Sequence, residues 1–375
     1  MMPRSVFTDE HDAFRAVIRE ALTTDVVPDY PSWRSSGMPS PTFWRRMGSL
    51  GVLGISVPAE HGGLPGSDFR HSAVVTEEIQ RLGLAIGGLR VHTDICMPYL
   101  IEYGTPEQQA TWLPRLCAGE AVIALGLSEA GAGSDLKAMA TRAERVGDTY
   151  VVNGSKTFIS NGAAADLVIL AVKTDPSAGR DGISLLLVDT STPGFETGKH
   201  LDKLGLAAQD LAELSFVDMH VPVTNLLGEE NEGFRYLTAN LAQERLSIAV
   251  NSQAAAVAAL AWTVDELAGT RPGQEAKFTL AACATEVAAG QALVDQAIGA
   301  HLSGQLGVAD AAAAKLFCTE LQGRVVERCL DLHPAGTAFR ADSTIGHAYL
   351  DGRVSRIYAG SSEIMKVIVS QQLGL

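Results

Sequence analysis

The chain has 375 residues, 46% of them hydrophobic and 19% charged, and carries a formal net charge of −14. That length exceeds what one hydrophobic core usually organises, so two or three domains are expected. An acidic balance of this size argues against nucleic acid or an anionic membrane surface as partner. The five cysteines, at 96, 117, 283, 318 and 329, form no CxxC pair and no cluster with histidine. They read as free thiols of a reducing cytoplasm rather than as metal ligands or disulfides. The opening Met-Met-Pro-Arg-Ser-Val-Phe-Thr has no apolar core of the signal-peptide kind, and the longest apolar runs are strand-length, so neither export nor a membrane span is expected.

Helical patterning dominates residues 1–120. Thr8 is a capping residue ahead of three/four periodicity through Leu22. Ser40-Pro41-Thr42 opens a second helix through Trp44, Met47 and Leu50, and 76–82 and 106–116 predict two more. The run Glu60-His-Gly-Gly-Leu-Pro-Gly66 marks a loop.

Between 121 and 226 the texture changes. Short β-branched or leucine-rich runs at 121–127, 138–144, 149–152, 167–173, 183–188 and 212–217 are separated by Gly, Asp and Pro, which predicts an antiparallel sheet or barrel. From 227 to 375 long alanine-filled helices are expected over 230–267, 275–303 and 308–331, with a short one at 361–373, as in a helical bundle. The expected fold class is therefore α+β: a helical domain, a β-domain and a helical bundle.

One residue breaks the pattern of the first long helix. Phe234, Leu237, Leu241 and Ile248 recur at helical spacing, and Glu244 falls on the same stripe. Burying a lone carboxylate costs several kcal/mol unless it pairs or stays protonated. Either Glu244 has a buried cationic partner or it is a desolvated base.

Three glycine- or serine-rich stretches complete the chemistry. Leu127-Ser-Glu-Ala-Gly-Ala-Gly-Ser-Asp135 follows a predicted strand, and such turns can cradle a phosphate or a polar ring edge, though most are only turns. In Asn153-Gly-Ser-Lys-Thr-Phe-Ile-Ser-Asn-Gly162 the Asn-Gly predicts a hairpin turn, and Phe158 and Ser160 share one strand face. That face suits a planar cofactor; a surface hairpin with a core phenylalanine is the plainer alternative. Near the end, Arg356-Ile-Tyr-Ala-Gly-Ser-Ser-Glu-Ile-Met365 reads as a loop opening a helix, with Ser361 or Ser362 as N-cap.

Taken in this order, together with Tyr103-Gly-Thr-Pro-Glu-Gln-Gln, Leu204-Gly-Leu and Asn225-Leu-Leu-Gly-Glu, these stretches resemble the acyl-CoA dehydrogenase family over nearly the whole chain. The resemblance implies an N-terminal helical domain, a central β-domain and a C-terminal four-helix bundle. It also implies FAD as cofactor and oxidation of an acyl thioester, on CoA or an acyl carrier protein, to the trans-2-enoyl thioester. Many members carry the base directly after the tyrosine of the C-terminal motif, where this chain has Ala359. Members of the long-chain and isovaleryl type place it in a Glu-Arg-Leu stretch of the bundle, which here is Glu244-Arg245-Leu246. Glu244 is thus the expected base, and the N–H of Ala359 the expected oxyanion donor. By the same resemblance Leu125, Leu127, Ser128, Gly133 and Ser134 line the flavin. Phe158 and Ser160 flank its ring, with Ser160 near N5. Ser134 and Arg245 contact the pantetheine or nucleotide part of the ligand. Gly360, Ser361 and Glu363 lie near substrate and adenine.

An electron-transfer flavoprotein is the expected acceptor, and a homo-oligomer, dimer or tetramer, the expected assembly. Two segments depart from the family pattern. An inter-subunit FAD-binding stretch is shortened to Glu266-Leu-Ala-Gly-Thr-Arg-Pro-Gly-Gln-Glu-Ala, where only Arg271 and Gln274 could stand in, and a His-Gly-Gly-x-Gly becomes His333-Pro-Ala-Gly-Thr337. Three readings follow: a working dehydrogenase with altered FAD contacts, a non-catalytic partner subunit of a heteromer, or a flavoprotein using the fold for another task.

Overall fold

The computed structural model describes residues 3–375. The first third is helical. α1 (Asp9–Ala21), α2 (Tyr30–Ser36), α3 (Pro41–Ser49), α4 (Phe69–Arg81) and α5 (Gly88–Arg90) pack around Trp33, Phe43, Trp44 and Leu53, while α6 (Met97–Tyr103) and α7 (Pro106–Ala118) bury Tyr99, Leu100, Leu113 and Leu116 against the sheet. Thr8 caps α1 as expected. α4 begins earlier than its apolar pattern shows, because Asp68 caps it by accepting from Arg70 N at 2.8 Å. Two π-helical turns, Leu22–Val26 and Val91–Cys96, were not legible as such; the second leads directly into α6.

Eight strands form one sheet: β1 (Ile123–Gly126), β2 (Arg142–Val146), β3 (Thr149–Ser160), β4 (Leu167–Lys173), β5 (Ile183–Asp189), β6 (Phe195–His200), β7 (Leu211–Pro222) and β8 (Leu226–Leu227). The order is β6-β7-β3-β2-β4-β5-β8. The sheet is mixed rather than purely antiparallel. β1 runs parallel to β4 from Ile123↔Leu167 to Gly126↔Leu170, and β2 joins β4 in parallel at Arg142↔Lys173. Every residue of β4 is buried, the habit of a strand with parallel neighbours and both faces covered. Residues 136–138 form a 3-10 turn instead of the start of a strand, and β6, an exposed and polar edge strand, offers no alternation to read.

α8 (Gly233–Glu266), α9 (Gln274–Leu302) and α10 (Val308–Leu332) are the long bundle helices. α11 (Ala335–Ala338) and α12 (Thr344–Gly352) follow, and α13 (Ser362–Gln372) lies against α10 as the fourth bundle helix. α8 is the one helix among the described residues long and apolar enough to cross a membrane, which the apolar runs of the sequence did not suggest. Its most apolar stretch is 72% buried inside the protein, as a core helix. Small side chains allow this: Ala256 and Ala259 of α8 meet Val287 of α9 and Leu321 and Val325 of α10 in one apolar cluster. All five cysteines are buried and free.

Candidate active site

Glu244 is 7% exposed. Leu237 and Ile248 are buried and Phe234 and Leu241 half-buried; the burial expected of Glu244 holds, although every residue from 244 to 250 is buried, so no single stripe marks it out. No lysine or arginine forms a salt bridge with it among the described residues. Its hydrogen-bond partner is the Tyr99 hydroxyl of α6, which donates to Oε1 at 2.9 Å. Burial raises the Glu244 pKa to about 7, against the smaller opposing pulls of the Tyr99 bond and the Arg245 charge. Of the two sequence alternatives, the buried cationic partner is absent among the described residues, and the carboxylate is desolvated.

Arg245 is also buried, and its Nε and one Nη have no partner among the described residues. Burial lowers its pKa despite the neighbouring Glu244. Buried donors of this kind cost free energy when left without an acceptor. Arg245 also faces Lys315 of α10, a fully buried lysine drawn down to about 8 by desolvation first and by Arg245 second. Lys315 Nζ donates to the Gly360 carbonyl at 2.5 Å. Lys315 thereby joins α10 to the loop before α13.

That loop is held in an uncommon shape. Ala359 has φ 50° and Gly360 φ 91°. A Cβ on Gly360 would lie 2.6 Å from the Met365 Cε. An alanine in the left-handed region is strained, and the Ala359 N–H has no acceptor among the described residues. Ser361 caps α13 by accepting from Ile364 N at 3.4 Å, and its hydroxyl holds exposed Glu363 below the usual carboxylate range.

A second group of predicted residues gathers at the end of β1 and the middle of β3. Lys156, fully buried, pairs with Glu129 at 2.8 Å and donates to the Leu127 carbonyl at 3.3 Å. Glu129 in turn accepts from the backbone of Ala140 and Thr141. This ion pair pins the 127–135 loop onto β3, and Thr157 N donates to the Ser128 carbonyl at 2.9 Å. Leu125, Leu127 and Ser128 are half-buried there, while Gly133 and Ser134 are exposed on the loop.

Phe158 is neither a core residue nor on a regular strand face with Ser160. The register of β3 against β7 shifts between Lys156 and Ile159, leaving Phe158 at φ 58° and 65% exposed. A bulge of this kind re-aims a side chain. An exposed aromatic held in strained backbone beside an open glycine loop suits a planar ligand; a Cβ at Gly131 or Gly133 would meet nothing within 4 Å. The residues present therefore fit an isoalloxazine ring. Ser160 accepts a hydrogen bond from Gln209 Nε2 at 3.0 Å.

Ser134, exposed on the loop, and Arg245, buried in α8, share no hydrogen bond and stand on different layers. Tyr99 and Gln209 carried no sequence signal. Lys315, a lone charge within Ala311-Ala-Ala-Ala-Lys315-Leu-Phe, carried the same kind of signal as Glu244. Of the two departing segments, Arg271 and Gln274 are exposed, and His333 is tied to Thr263 at 3.0 Å as the chain turns into α11.

The one histidine–carboxylate cluster among the described residues, His11, Asp68 and His71, is a pair of helix caps. Nδ1 of each histidine accepts a capping-residue N–H at 3.2 Å, and Arg70 chelates Asp68. The remaining ring nitrogens then carry protons and offer a metal no lone pair.

A helical layer, a β-layer and a helical bundle holding a buried carboxylate make up the three-domain architecture of the chain. The chain belongs to the acyl-CoA dehydrogenase family, whose members are FAD flavoproteins: the family's N-terminal domain matches residues 8–120, its middle domain 124–219 and its C-terminal domain 231–374. It is 38% identical over 383 aligned residues to the long-chain specific acyl-CoA dehydrogenase, mitochondrial, of Rattus norvegicus, covering 99% of this chain and 88% of that one. The crystal structure of an acyl-CoA dehydrogenase from Geobacillus kaustophilus superposes with a TM-score of 0.97 at 42% identity, covering 100% of both chains. A glutaryl-CoA dehydrogenase from Mycobacterium smegmatis in complex with FADH2 superposes at 0.90 with 25% identity, covering 98% of this chain and 95% of that one. The chain is accordingly an acyl-CoA dehydrogenase, an oxidoreductase.

Proposed function

We propose that this protein removes two hydrogens across the α,β-bond of an acyl thioester, with Glu244 as the base that takes the α-proton. The observation that carries this reading is a buried carboxylate on α8, raised to about 7 and, among the described residues, hydrogen-bonded only to Tyr99, in a family member whose residue 359 is alanine. FAD is the cofactor, held by the Leu125, Leu127 and Ser128 main chain and the Gly133–Ser134 loop, with Phe158 and Ser160 at its ring and Ser361 and Glu363 toward adenine. When bound, it accepts the hydride leaving the β-carbon.

The remaining work falls to the chain itself. An α-proton next to a thioester is only weakly acidic, so removing it requires a strong base and a donor for the growing enolate charge. Desolvation makes ionised Glu244 a stronger base than a surface carboxylate, and a pKa near 7 still leaves much of it ionised at neutral pH. The unclaimed N–H of Ala359 is the oxyanion donor. Its aim is fixed by the left-handed backbone at 359–360 and by the Lys315 bond to the Gly360 carbonyl. Replacing glutamate by alanine at 359 removes no N–H. The open donors of Arg245 bind the substrate, alongside Ser134 and Gly360.

An electron-transfer flavoprotein as acceptor, CoA or an acyl carrier protein as the acyl carrier, a homo-oligomeric assembly and a cytoplasmic setting rest on the family resemblance and, for the last, on five free thiols. The test is direct. The purified protein, loaded with FAD, is mixed anaerobically with acyl-CoAs of graded length. Bleaching of the flavin absorption by at least one of them is expected. A protein that takes up no FAD, or whose flavin none of them bleaches, would overturn this reading in favour of a partner subunit.

A further inference from the structure

A second buried carboxylate lies close to Glu244. Asp94 is 4% exposed and sits inside the π-helical turn Val91–Cys96. No salt bridge to lysine or arginine reaches it among the described residues. Hydroxyls satisfy it instead: Oδ1 accepts from Ser72 of α4 at 2.5 Å and from Thr93 at 2.9 Å, and Oδ2 accepts from Ser247 of α8 at 2.5 Å. Its backbone carbonyl accepts from Gln243 Nε2 of α8 at 2.8 Å. The two α8 residues bound by Asp94 are thus the neighbour of Glu244 on one side and the residue a helical turn beyond it on the other. Five residues after Asp94, Tyr99 donates to Glu244 itself.

The π turn explains how one short segment can do both. In an α-helix, positions five apart face different directions, whereas positions four apart are neighbours. A π turn inserts an extra residue, so positions five apart across it behave as one-turn neighbours, and such insertions concentrate at functional sites. Asp94 and Tyr99 can then both face α8. An uncharged pin would join two helices more cheaply, since a buried carboxylate without a cation costs free energy that hydroxyl donors only partly offset. Charge-assisted bonds, however, are short and directional, which suits a clamp.

We propose that Asp94 is a positioning residue for the reaction. Through Ser247 and Gln243 it fixes the turn of α8 that bears Glu244, and so holds Glu244 in register with the Tyr99 hydroxyl. The proposal rests on the reading of Glu244 as the base. The groups facing Glu244 are Tyr99 of α6, Cys96 of the π turn and Arg245 of its own helix, with Lys315 behind Arg245. His301 of α9 faces Asp94.

The test reads the ionisation of Glu244 without turnover. In the FAD-loaded protein the infrared band of the buried protonated carboxyl is titrated and assigned by its loss in Glu244→Gln. The wild-type midpoint is expected above the ordinary carboxylate range, because burial raises it. Ser247→Ala keeps Asp94 but releases α8, so the Tyr99 bond that lowers the Glu244 pKa weakens, and the midpoint should rise by about half a unit or more. Ser247→Thr, which retains the hydroxyl, should restore it. Ser72→Ala, which touches Asp94 from α4, should shift it by less than half as much. A Ser247→Ala midpoint that is unmoved or lowered would overturn the proposal, as would an equal shift in Ser72→Ala. Because the band is read without substrate, a flavin that no acyl-CoA bleaches would overturn the dehydrogenase reading and leave this result standing.

Discussion

At the scale of single residues, Glu244 is the proposed base, and its burial carries a pH dependence of its own. Its pKa is raised from 4.5 to about 7 chiefly by burial, so the folded protein binds a proton there that the unfolded chain has lost. The sign follows: any stability from this group is fully present below about 4.5 and is lost as pH rises to about 7. The gap of 2.5 units between those values amounts to roughly 3 kcal/mol in the ligand-free protein. Glu244→Gln should therefore melt higher than wild type at pH 8 and show a flatter stability profile between pH 5 and 7, measured by thermal denaturation across pH. A variant that melts lower at pH 8 would mean that the carboxylate is stabilised by a partner. Tyr99→Phe removes the bond that lowers the Glu244 pKa. The acid limb of the rate of flavin reduction should then move to higher pH, with little change on the alkaline side. The buried carboxylate was legible in sequence because a charge among apolar residues at helical spacing is anomalous. Tyr99 was not, since a tyrosine in a buried helix announces no partner.

At the scale of elements, the proposed function assigns ligand positioning to two loops. The first is pinned by the buried Lys156–Glu129 pair. Removing one partner of a buried pair leaves the other uncompensated at a cost of about 3–5 kcal/mol. Lys156→Met should accordingly lower the melting temperature and raise the dissociation constant for FAD, and proteolysis should begin within 127–135. Unchanged FAD affinity in a folded Lys156→Met would separate this loop from the flavin. The second is the left-handed turn at Ala359–Gly360. Ala359→Gly relieves about 1 kcal/mol of strain and gives back a similar amount as unfolded-chain entropy, so stability should change by less than about 1 kcal/mol. The freed N–H loses its aim, and flavin reduction should slow markedly at unchanged FAD content. The motifs around both loops were visible as strings. The bulge that turns Phe158 outward was not, because a strand pattern gives alternation but not register. The parallel pairing of β1 with β4 was likewise hidden, since a fully apolar run does not say which neighbours cover it.

At the scale of the whole molecule, the proposed reaction draws on three layers, a base from the bundle, an oxyanion donor before α13 and a flavin-binding face on the sheet, and on that reading no layer suffices alone. A ligand that bridges them should stabilise all three together. Saturating FAD, at about a hundredfold over its dissociation constant, should contribute roughly 3 kcal/mol and raise a single cooperative melting transition. Two separate transitions, only one of which responds, would show that the β-layer binds FAD without the bundle. The three-part architecture was legible because long alanine-rich helices and short β-branched runs differ in period. The polar links between layers, Lys315 to Gly360 and Asp94 to Ser247, join residues distant in sequence and cannot be read from local pattern. The most direct measurement follows the α-proton itself. FAD-loaded wild type and Glu244→Gln are each incubated anaerobically in D2O with an acyl-CoA that bleaches the wild-type flavin, and deuterium at the α-carbon of recovered saturated substrate is measured by mass spectrometry. Wild type should incorporate α-deuterium, and Glu244→Gln, with its flavin still bound, should incorporate none above the enzyme-free control. Undiminished incorporation by Glu244→Gln would show that another group removes the proton and that Glu244 is not the base.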